Sequence, residues 1–274
     1  MINHVDNIKE HLLTILNQAS KIAQELYKKH LIKDLPYIRK ADHSIVCEAD
    51  IEVEKFLLSE IKKITPTIPI ISEEDFLKNN IDTSNIDSFW SLDPIDGTKH
   101  FWHKKGEFSI NIALIYQKKP IFGLINIHLE KTSYCAIKDQ GCFKTKDENT
   151  PQRIAPRTPK KIEPLLTGEI TNKEKLAKLK ALFPNSNHIM CGSAIKFCRI
   201  AEGNAQLYPK LASIMEWDTA AGQIILEETG GGIFDLQKNP LTYNKPHYLN
   251  PPFFAIQYKK LIEQLDFLEE ITPN

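Results

Sequence analysis

The 274-residue sequence predicts an α+β protein in two halves: an amino-terminal half built on an antiparallel sheet, then a half in which strands and helices alternate. Three observations predict this. A long amphipathic period opens the chain, and apolar runs separated by short turns follow from Phe108. Past a proline-rich stretch at 151–164, short strand-like segments alternate with helical ones.

Val5, Ile8, Leu12, Ile15, Ala19, Ile22 and Leu26 step by three and four, which predicts a helix over 5–29 packed on a sheet. A polar stretch, Arg39 to Ser44, leads to a second helix from near Glu48 to about Lys63. Pro66 and Pro69 bracket a turn into a short strand, Ile70-Ile71, which delivers Ser72-Glu73-Glu74-Asp75. Phe89, Trp90 and Leu92 read as the end of a buried strand. Phe108–Tyr116, Ile121–Ile127 and Thr132–Ile137 then form a meander, with Gln117 to Pro120 as one turn.

Pro151, Pro156, Pro159 and Pro164, among Arg153, Arg157, Lys160 and Lys161, place a boundary between halves 1–150 and 151–274. Afterwards come Leu165-Leu166, a helix over Asn172–Leu182, Ile189-Met190, a helix over Ser193–Ala201, Gln206-Leu207-Tyr208 and a helix over Trp217–Thr229. Gly230-Gly231-Gly232 follows a helix rather than preceding one, so it reads as a C-cap and turn, not a phosphate loop.

Composition excludes several functions. Lys plus Arg equals Asp plus Glu at 35 each, so no net field holds nucleic acid or an anionic membrane. An anionic substrate must therefore meet a local patch or a metal. The five cysteines are odd in number and contain no C-x-x-C pair, which fits reduced thiols in a cytosolic protein. Asp6, Lys9 and Glu10 stand where a signal peptide would be apolar, and no apolar run is long enough to span a bilayer. The expected location is the cytoplasm.

The informative stretch is Trp90 to Phe101. Two carboxylates, Asp93 and Asp96, follow the strand; Pro94 fixes one φ and removes a donor, while Gly97 permits a sharp turn. Such a turn can aim Asp93, Asp96 and an intervening carbonyl at one point, as Mg²⁺ requires of hard oxygen ligands. Asp-Pro and Asp-Gly are also ordinary turn residues. Other acids stand at element ends as well: Asp50 in a first helical turn, Glu73 and Glu74 after a strand, and Asp218 opening a helix. Singly, a first-turn acid is a partner for the helix dipole. Together they resemble a site for two or three Mg²⁺ ions, which clamps a phosphate, lowers the pKa of bound water and stabilises a leaving oxygen. P-loop, nucleophile-elbow, HExxH and GxGxxG motifs are absent from the sequence.

With these residues in place, the chain resembles the inositol monophosphatase superfamily of Mg²⁺-dependent, lithium-sensitive phosphatases. Its Asp-Pro-Ile/Leu-Asp-Gly-Thr signature stands at Asp93–Thr98, and Trp-Asp-x-Ala-Ala-Gly at Trp217–Gly222. The likeness is greatest to the bacterial 3′(2′),5′-bisphosphate nucleotidase branch, through Ser72–Asp75, Gly106–Leu114, Gly192–Cys198 and Ala201–Pro209. Those enzymes hydrolyse adenosine 3′,5′-bisphosphate to AMP and phosphate, clearing a by-product of sulfate assimilation. The resemblance implies a layered α/β/α/β/α sandwich with the metal site between the halves. It implies Glu73, Asp93, the carbonyl of Ile95, Asp96 and Asp218 as metal ligands, with Asp50 completing or supporting a weaker site. Thr98, with Glu73 or Asp50, would orient the attacking water, and the Gly97 and Thr98 amides would cradle the scissile phosphate. Gly192, Ser193 and Lys196 match positions that meet the nucleotide; Ser193 and Lys196 are expected to project from one helical turn toward an anion. Monomer or homodimer, and association with the inner membrane surface, are left open by the resemblance.

Two departures stand out. Where the family has threonine before the second helix, this chain has Cys47, a poorer cap by about 1 kcal/mol. The helix dipole favours its thiolate while Glu48 and Asp50 oppose it, and the preferred reading is an inert small residue. A Ser-Arg-Ser-His-like segment that contacts the nucleotide is here Thr167-Gly168-Glu169-Ile170, without Arg or His. The expected activity is a Mg²⁺-dependent 3′-phosphatase. The alternatives are an inositol or sugar monophosphatase using the same metals, and a non-catalytic nucleotide-binding protein.

Overall fold

The structure, a computed structural model, describes residues 2–39, 45–79, 86–147, 149–158, 165–167 and 187–265, with 174, 177 and 181 singly. The expected helix over 172–182 and residues 168–170 of the altered nucleotide segment fall outside the described residues, those single positions apart. Helix α1 (Ile2–Ile32) overruns the apolar period at both ends. A hairpin of β1 (Tyr37–Arg39) and β2 (Ile45–Cys47) leads into α2 (Glu48–Ile64). Strand β3 (Ile70–Ser72) passes directly into α3 (Glu73–Asn79), and β4 (Ser88–Asp96) into α4 (Thr98–Trp102) after Gly97 alone.

The meander continues further than the apolar runs showed: β5 (Ser109–Tyr116), β6 (Lys119–Ile127), β7 (Thr132–Ile137), β8 (Gly141–Lys146) and β9 (Gln152–Ile154). Together β3 to β9 form one seven-stranded sheet in chain order. It is antiparallel except for the β3–β4 edge, where the pairing is parallel. That exception follows from α3 lying between the two strands. Strand β9 carries this sheet to residue 154, past the proposed boundary at 150.

The second sheet holds β10 (Leu165–Thr167), β11 (His188–Met190), β12 (Leu207–Lys210), β14 (Gly232–Asp235) and β16 (Phe253–Ile256), in the order β11-β10-β12-β16-β14. Strands β13 (Ile214–Met215) and β15 (Leu249–Asn250) pair separately. Between the sheets run α5 (Ile195–Ala201) and α6 (Ala220–Glu227). The helix expected over 217–229 is shorter, because a 3-10 turn, Glu216–Asp218, precedes it.

Period-2 alternation explains the layering. Trp90, Leu92, Ile110, Ile112 and Leu114 face one way and pack with Leu12, Leu16, Val53 and Leu57 of α1 and α2. Phe89, Ala113, Ile115 and Ile125 face the other way and pack with Phe197, Ala221, Ile224 and Ile225. That core reaches Tyr208, Ile233 and Phe253 of the second sheet. Leu165, Leu207, Phe254 and Ile256 bury the outer face of that sheet under Leu261 and Leu265. The order is therefore helix, sheet, helix, sheet and an outer turn of 3-10 helix at Lys259–Gln264, the layered sandwich that the resemblance implies. Small residues permit a close contact between layers: a Cβ on Gly123 would meet Ile224 Cγ2 at 2.4 Å and the Ala221 carbonyl at 2.8 Å. Among the described residues, no helix is long and apolar enough to cross a membrane.

Candidate metal centre and active site

The site is built on the end of β4. Residues three apart on a regular strand face opposite sides. Here Asp93 pairs with Asn111 and Asp96 with Ser109, so Pro94 and Ile95 together oppose the single Ile110. This bulge adds one residue to the count and brings both aspartates to one side. Proline suits it, having no N–H to leave unpaired. The strand thus runs through Asp96, and the expected sharp turn is confined to Gly97, whose φ of +92° suits glycine. A Cβ there would also meet the Glu107 carbonyl at 2.8 Å.

Asp93, Asp96 and Asp218 each present a carboxylate oxygen, and the three oxygens lie within 4.8 Å of one another. Asp218 comes from the turn before α6, where its Oδ2 accepts the Met215 N–H at 3.1 Å. Its neighbour Glu216 anchors that turn, accepting the N–H groups of Asn244 (2.7 Å) and Lys245 (3.0 Å) and facing the Lys245 ammonium at 2.7 Å. Glu73, first residue of α3, lines the same cleft of about 430 Å³, as do Ile95, Gly97 and Thr98. Thr98 Oγ1 is 2.9 Å from Asp50 Oδ1 and 3.0 Å from the Ile95 carbonyl. Asp50 in turn accepts the Cys47 N–H at 2.8 Å.

The electrostatics follow from crowding. Burial raises the Asp93 carboxyl well above the usual range, and the charges of Glu73, Asp96, Asp218 and Asp50 add to it. Asp218 is raised by burial and then by Asp96 and Glu73, with Lys210 and a hydrogen bond to Asp93 opposing. Burial pushes Asp50 up to about 7, against the hydrogen bonds from Cys47 and Thr98. Two like charges 4.8 Å apart repel by about 3.5 kcal/mol at an effective dielectric of about 20. An all-oxygen donor set with this much uncompensated charge fits a hard divalent cation such as Mg²⁺.

The opposite wall comes from the chain before α5. Asp96 Oδ2 accepts the Ser193 hydroxyl at 2.9 Å, Asn111 Nδ2 at 3.3 Å and the Ala194 N–H. Ser109 Oγ meets Ser193 Oγ at 2.5 Å, and Gly192 N–H donates to Glu107 Oε2 at 2.9 Å. These bonds hold Ser193 at φ +56°, so the helix starts at Ile195 and not at Ser193 as the sequence reading has it. Lys196 is buried; its ammonium donates to the Ser193 carbonyl at 2.6 Å and the Cys191 carbonyl at 3.2 Å, and lies 5.0 Å from the Tyr208 ring centre. It braces the turn, a position unlike the projection toward an anion expected from its spacing to Ser193.

The expected metal and water-orienting residues thus converge: Glu73, Asp93, Ile95, Asp96, Thr98 and Asp218 around one cleft, with Asp50 behind Thr98. Sequence reasoning missed the supports. Asn111 was legible as a polar residue inside an apolar strand. Arg39, Lys99 and His103 are exposed and form a basic rim on the same cleft, for which the sequence offered no periodic signal. The Cys47 thiol is buried, and both burial and Asp50 push its pKa up, against the direction of the helix dipole.

Comparison with known proteins agrees with this geometry. The family model described as the inositol monophosphatase family matches residues 5–269. The chain is 33% identical over 256 residues to the 3′(2′),5′-bisphosphate nucleotidase CysQ of Haemophilus influenzae, covering 91% of this chain and 93% of that one. It is 35% identical over 228 residues to CysQ of Salmonella typhimurium, covering 82% and 91%. The crystal structure of CysQ from Bacteroides thetaiotaomicron superposes with a TM-score of 0.74 at 28% identity, covering 89% of this chain and 94% of that one. A bulged strand end, a carboxylate triad shared by both halves and a match over nearly the whole chain lead to one assignment: the protein belongs to the inositol monophosphatase family.

Proposed function

We propose that this protein is a Mg²⁺-dependent 3′(2′),5′-bisphosphate nucleotidase that removes the 3′-phosphate of adenosine 3′,5′-bisphosphate, giving AMP and phosphate. The observation that carries the reading is the convergence of Asp93, Asp96 and Asp218 within 4.8 Å beside the Thr98–Asp50 pair. The CysQ relatives at 33% and 35% identity support the substrate class.

Glu73, Asp93, the Ile95 carbonyl, Asp96 and Asp218 would hold the ions, with Asp50 supporting a weaker position. Bound Mg²⁺ would supply charge neutralisation on the phosphate and acidify a nearby water. The chain's own residues do the positioning. Thr98 Oγ1 donates a hydrogen bond to Asp50 Oδ1, which leaves its lone pairs to accept one from the attacking water; as the water attacks, its proton would pass to Thr98 Oγ1 and the Thr98 proton to Asp50. Burial raises the basicity of the Asp50 carboxylate, which suits it to receive that proton. The Ser193 turn, fixed by Asp96, shapes the wall where the rest of the substrate rests, and Arg39 and Lys99 at the rim, beside His103, offer charge to a second phosphate.

The test is phosphate release from adenosine 3′,5′-bisphosphate, its 5′-phosphosulfate analogue, AMP and inositol 1-phosphate, each with Mg²⁺ and with chelator. Preference for the bisphosphate that vanishes with chelator supports the reading. Equal or faster turnover of inositol 1-phosphate replaces it with a monophosphatase, and binding without turnover replaces it with a nucleotide-binding protein.

A further inference from the structure

Helix α2 carries a second acid that the chemistry above does not use. Glu54 lies one turn after Asp50 and is buried, a position among Ala49, Val53 and Leu57 where a carboxylate is costly without partners. One of its oxygens, Oε1, collects three donors: the Glu74 N–H at 3.0 Å, the Asp75 N–H at 3.1 Å and the Ser72 hydroxyl. These donors bracket Glu73 on both sides in sequence. They belong to the junction where β3 ends and α3 begins, so Glu54 fixes the backbone on which Glu73 is mounted.

Glu73 needs such a hold. Its charge acts on Asp93 and Asp218, and the same repulsion pushes Glu73 away from them. A short junction of free N–H groups would yield to that push; one held by a buried carboxylate does not. We infer that Glu54 is the positioning residue for Glu73, holding it against the repulsion of the other acids so that the cation site is assembled before an ion arrives. The same helix face then serves the site twice, through Asp50 on Thr98 and through Glu54 on the Ser72–Asp75 junction. The inference rests on the cation reading of the cleft, and it deepens that reading by naming what orders one of its ligands.

The test is direct Mg²⁺ binding by calorimetry on the full chain, with the Mg²⁺ dependence of melting as a second readout. Glu54→Ala is expected to weaken Mg²⁺ binding roughly 10- to 100-fold, as loss of an outer partner of a ligand does. Ser72→Ala, which removes one donor of three, and Glu54→Gln, which keeps one acceptor oxygen, are expected to fall between. Leu57→Ala, buried on the same helix, loses stability without weakening Mg²⁺ binding, which separates positioning from general loosening. Unchanged Mg²⁺ affinity in folded Glu54→Ala overturns the inference, as does a loss in Leu57→Ala equal to that in Glu54→Ala. If Glu54→Ala does not fold, unchanged affinity in Glu54→Gln and Ser72→Ala overturns it. Absence of Mg²⁺ binding by the unsubstituted protein strikes the proposed function instead.

Discussion

The acid cluster makes the metal-free protein respond to pH in an unusual direction. Most paired carboxylates are depressed and stabilise a fold as pH rises; those here are raised. A folded carboxyl raised above its unfolded value contributes stability that is complete below the unfolded pKa and is lost as pH rises through the folded one. For Asp50 the unfolded value is 3.8 and the folded value about 7; Asp93 and Asp218 shift the same way. Each proton that the fold retains costs about 1.4 kcal/mol of stability per pH unit. With a folded value of about 7 Asp50 gives up its proton within the window from pH 6.5 to 8.5, so its share there is about 0.8 kcal/mol, and Asp93 and Asp218 add to it in the same direction. The Asp50 share alone corresponds to a fall in Tm of about 2 °C for a chain of this size. His128, which burial pushes down to about 4, opposes this slope by only about 0.4 kcal/mol, since its unfolded form is half charged at 6.5 and neutral through most of the window. Melting curves in chelator should therefore show Tm falling from pH 6.5 to 8.5. Saturating Mg²⁺ should remove the slope or reverse it, since the cation competes with protons for the same oxygens. A chelated protein equally or more stable at pH 8.5 would refute the crowding of charge on which the site rests.

Three further outcomes are expected. Thr98→Ala should lower kcat roughly 10²-fold with little change in KM, while Thr98→Ser keeps most activity; a change confined to KM would remove Thr98 from water positioning. Gly222→Ala should destabilise by about 1–3 kcal/mol despite better helix propensity, because its Cβ would fall 2.3 Å from Phe197 Cδ2. A variant as stable as the unsubstituted protein in denaturant melts would show that α5 and α6 have room to part. The Cys47 thiol should resist thiol reagents and mild peroxide in the native protein, with peptide mass spectrometry as the readout; rapid modification at Cys47 would contradict its burial and raised pKa.

Much of this architecture was legible because its signals are local. The step of three and four in α1, the turn at Gln117–Pro120 and the polar break before α2 each depend on neighbouring residues. Strands β8, β9 and β14 to β16 were not legible, since runs such as Gly141–Lys146 and Gln152–Ile154 are short and half polar, and their pairing is decided by partners elsewhere in the sheet. The site divides in the same way. Acids at element ends could be found in the sequence. The bulge that makes a spacing of three face one way depends on cross-strand register, which no local pattern carries. Lys196 shows the limit of spacing arguments: three residues after Ser193 implies a shared helical turn only if the helix has begun, and Asp96 delays its start by holding the Ser193 hydroxyl and the Ala194 N–H.

Asp96 is for that reason more than one acid among several. Its Oδ2 accepts from Ser193 and Ala194 of the later half and Asn111 of the earlier one, while the triad oxygens converge within 4.8 Å. Asp218 makes the same crossing in reverse, belonging to the turn before α6, whose Ala221 and Ile224 pack on the first sheet at Gly123. A cation held by Asp93, Asp96 and Asp218 would therefore bridge the two halves. Its binding would stabilise the folded chain by RT ln(1 + [L]/Kd), about 2.7 kcal/mol at a hundredfold excess over Kd. Weakening either the Asp96–Ser193 link or the α6 contact should lower Mg²⁺ affinity even where every ligand remains in place.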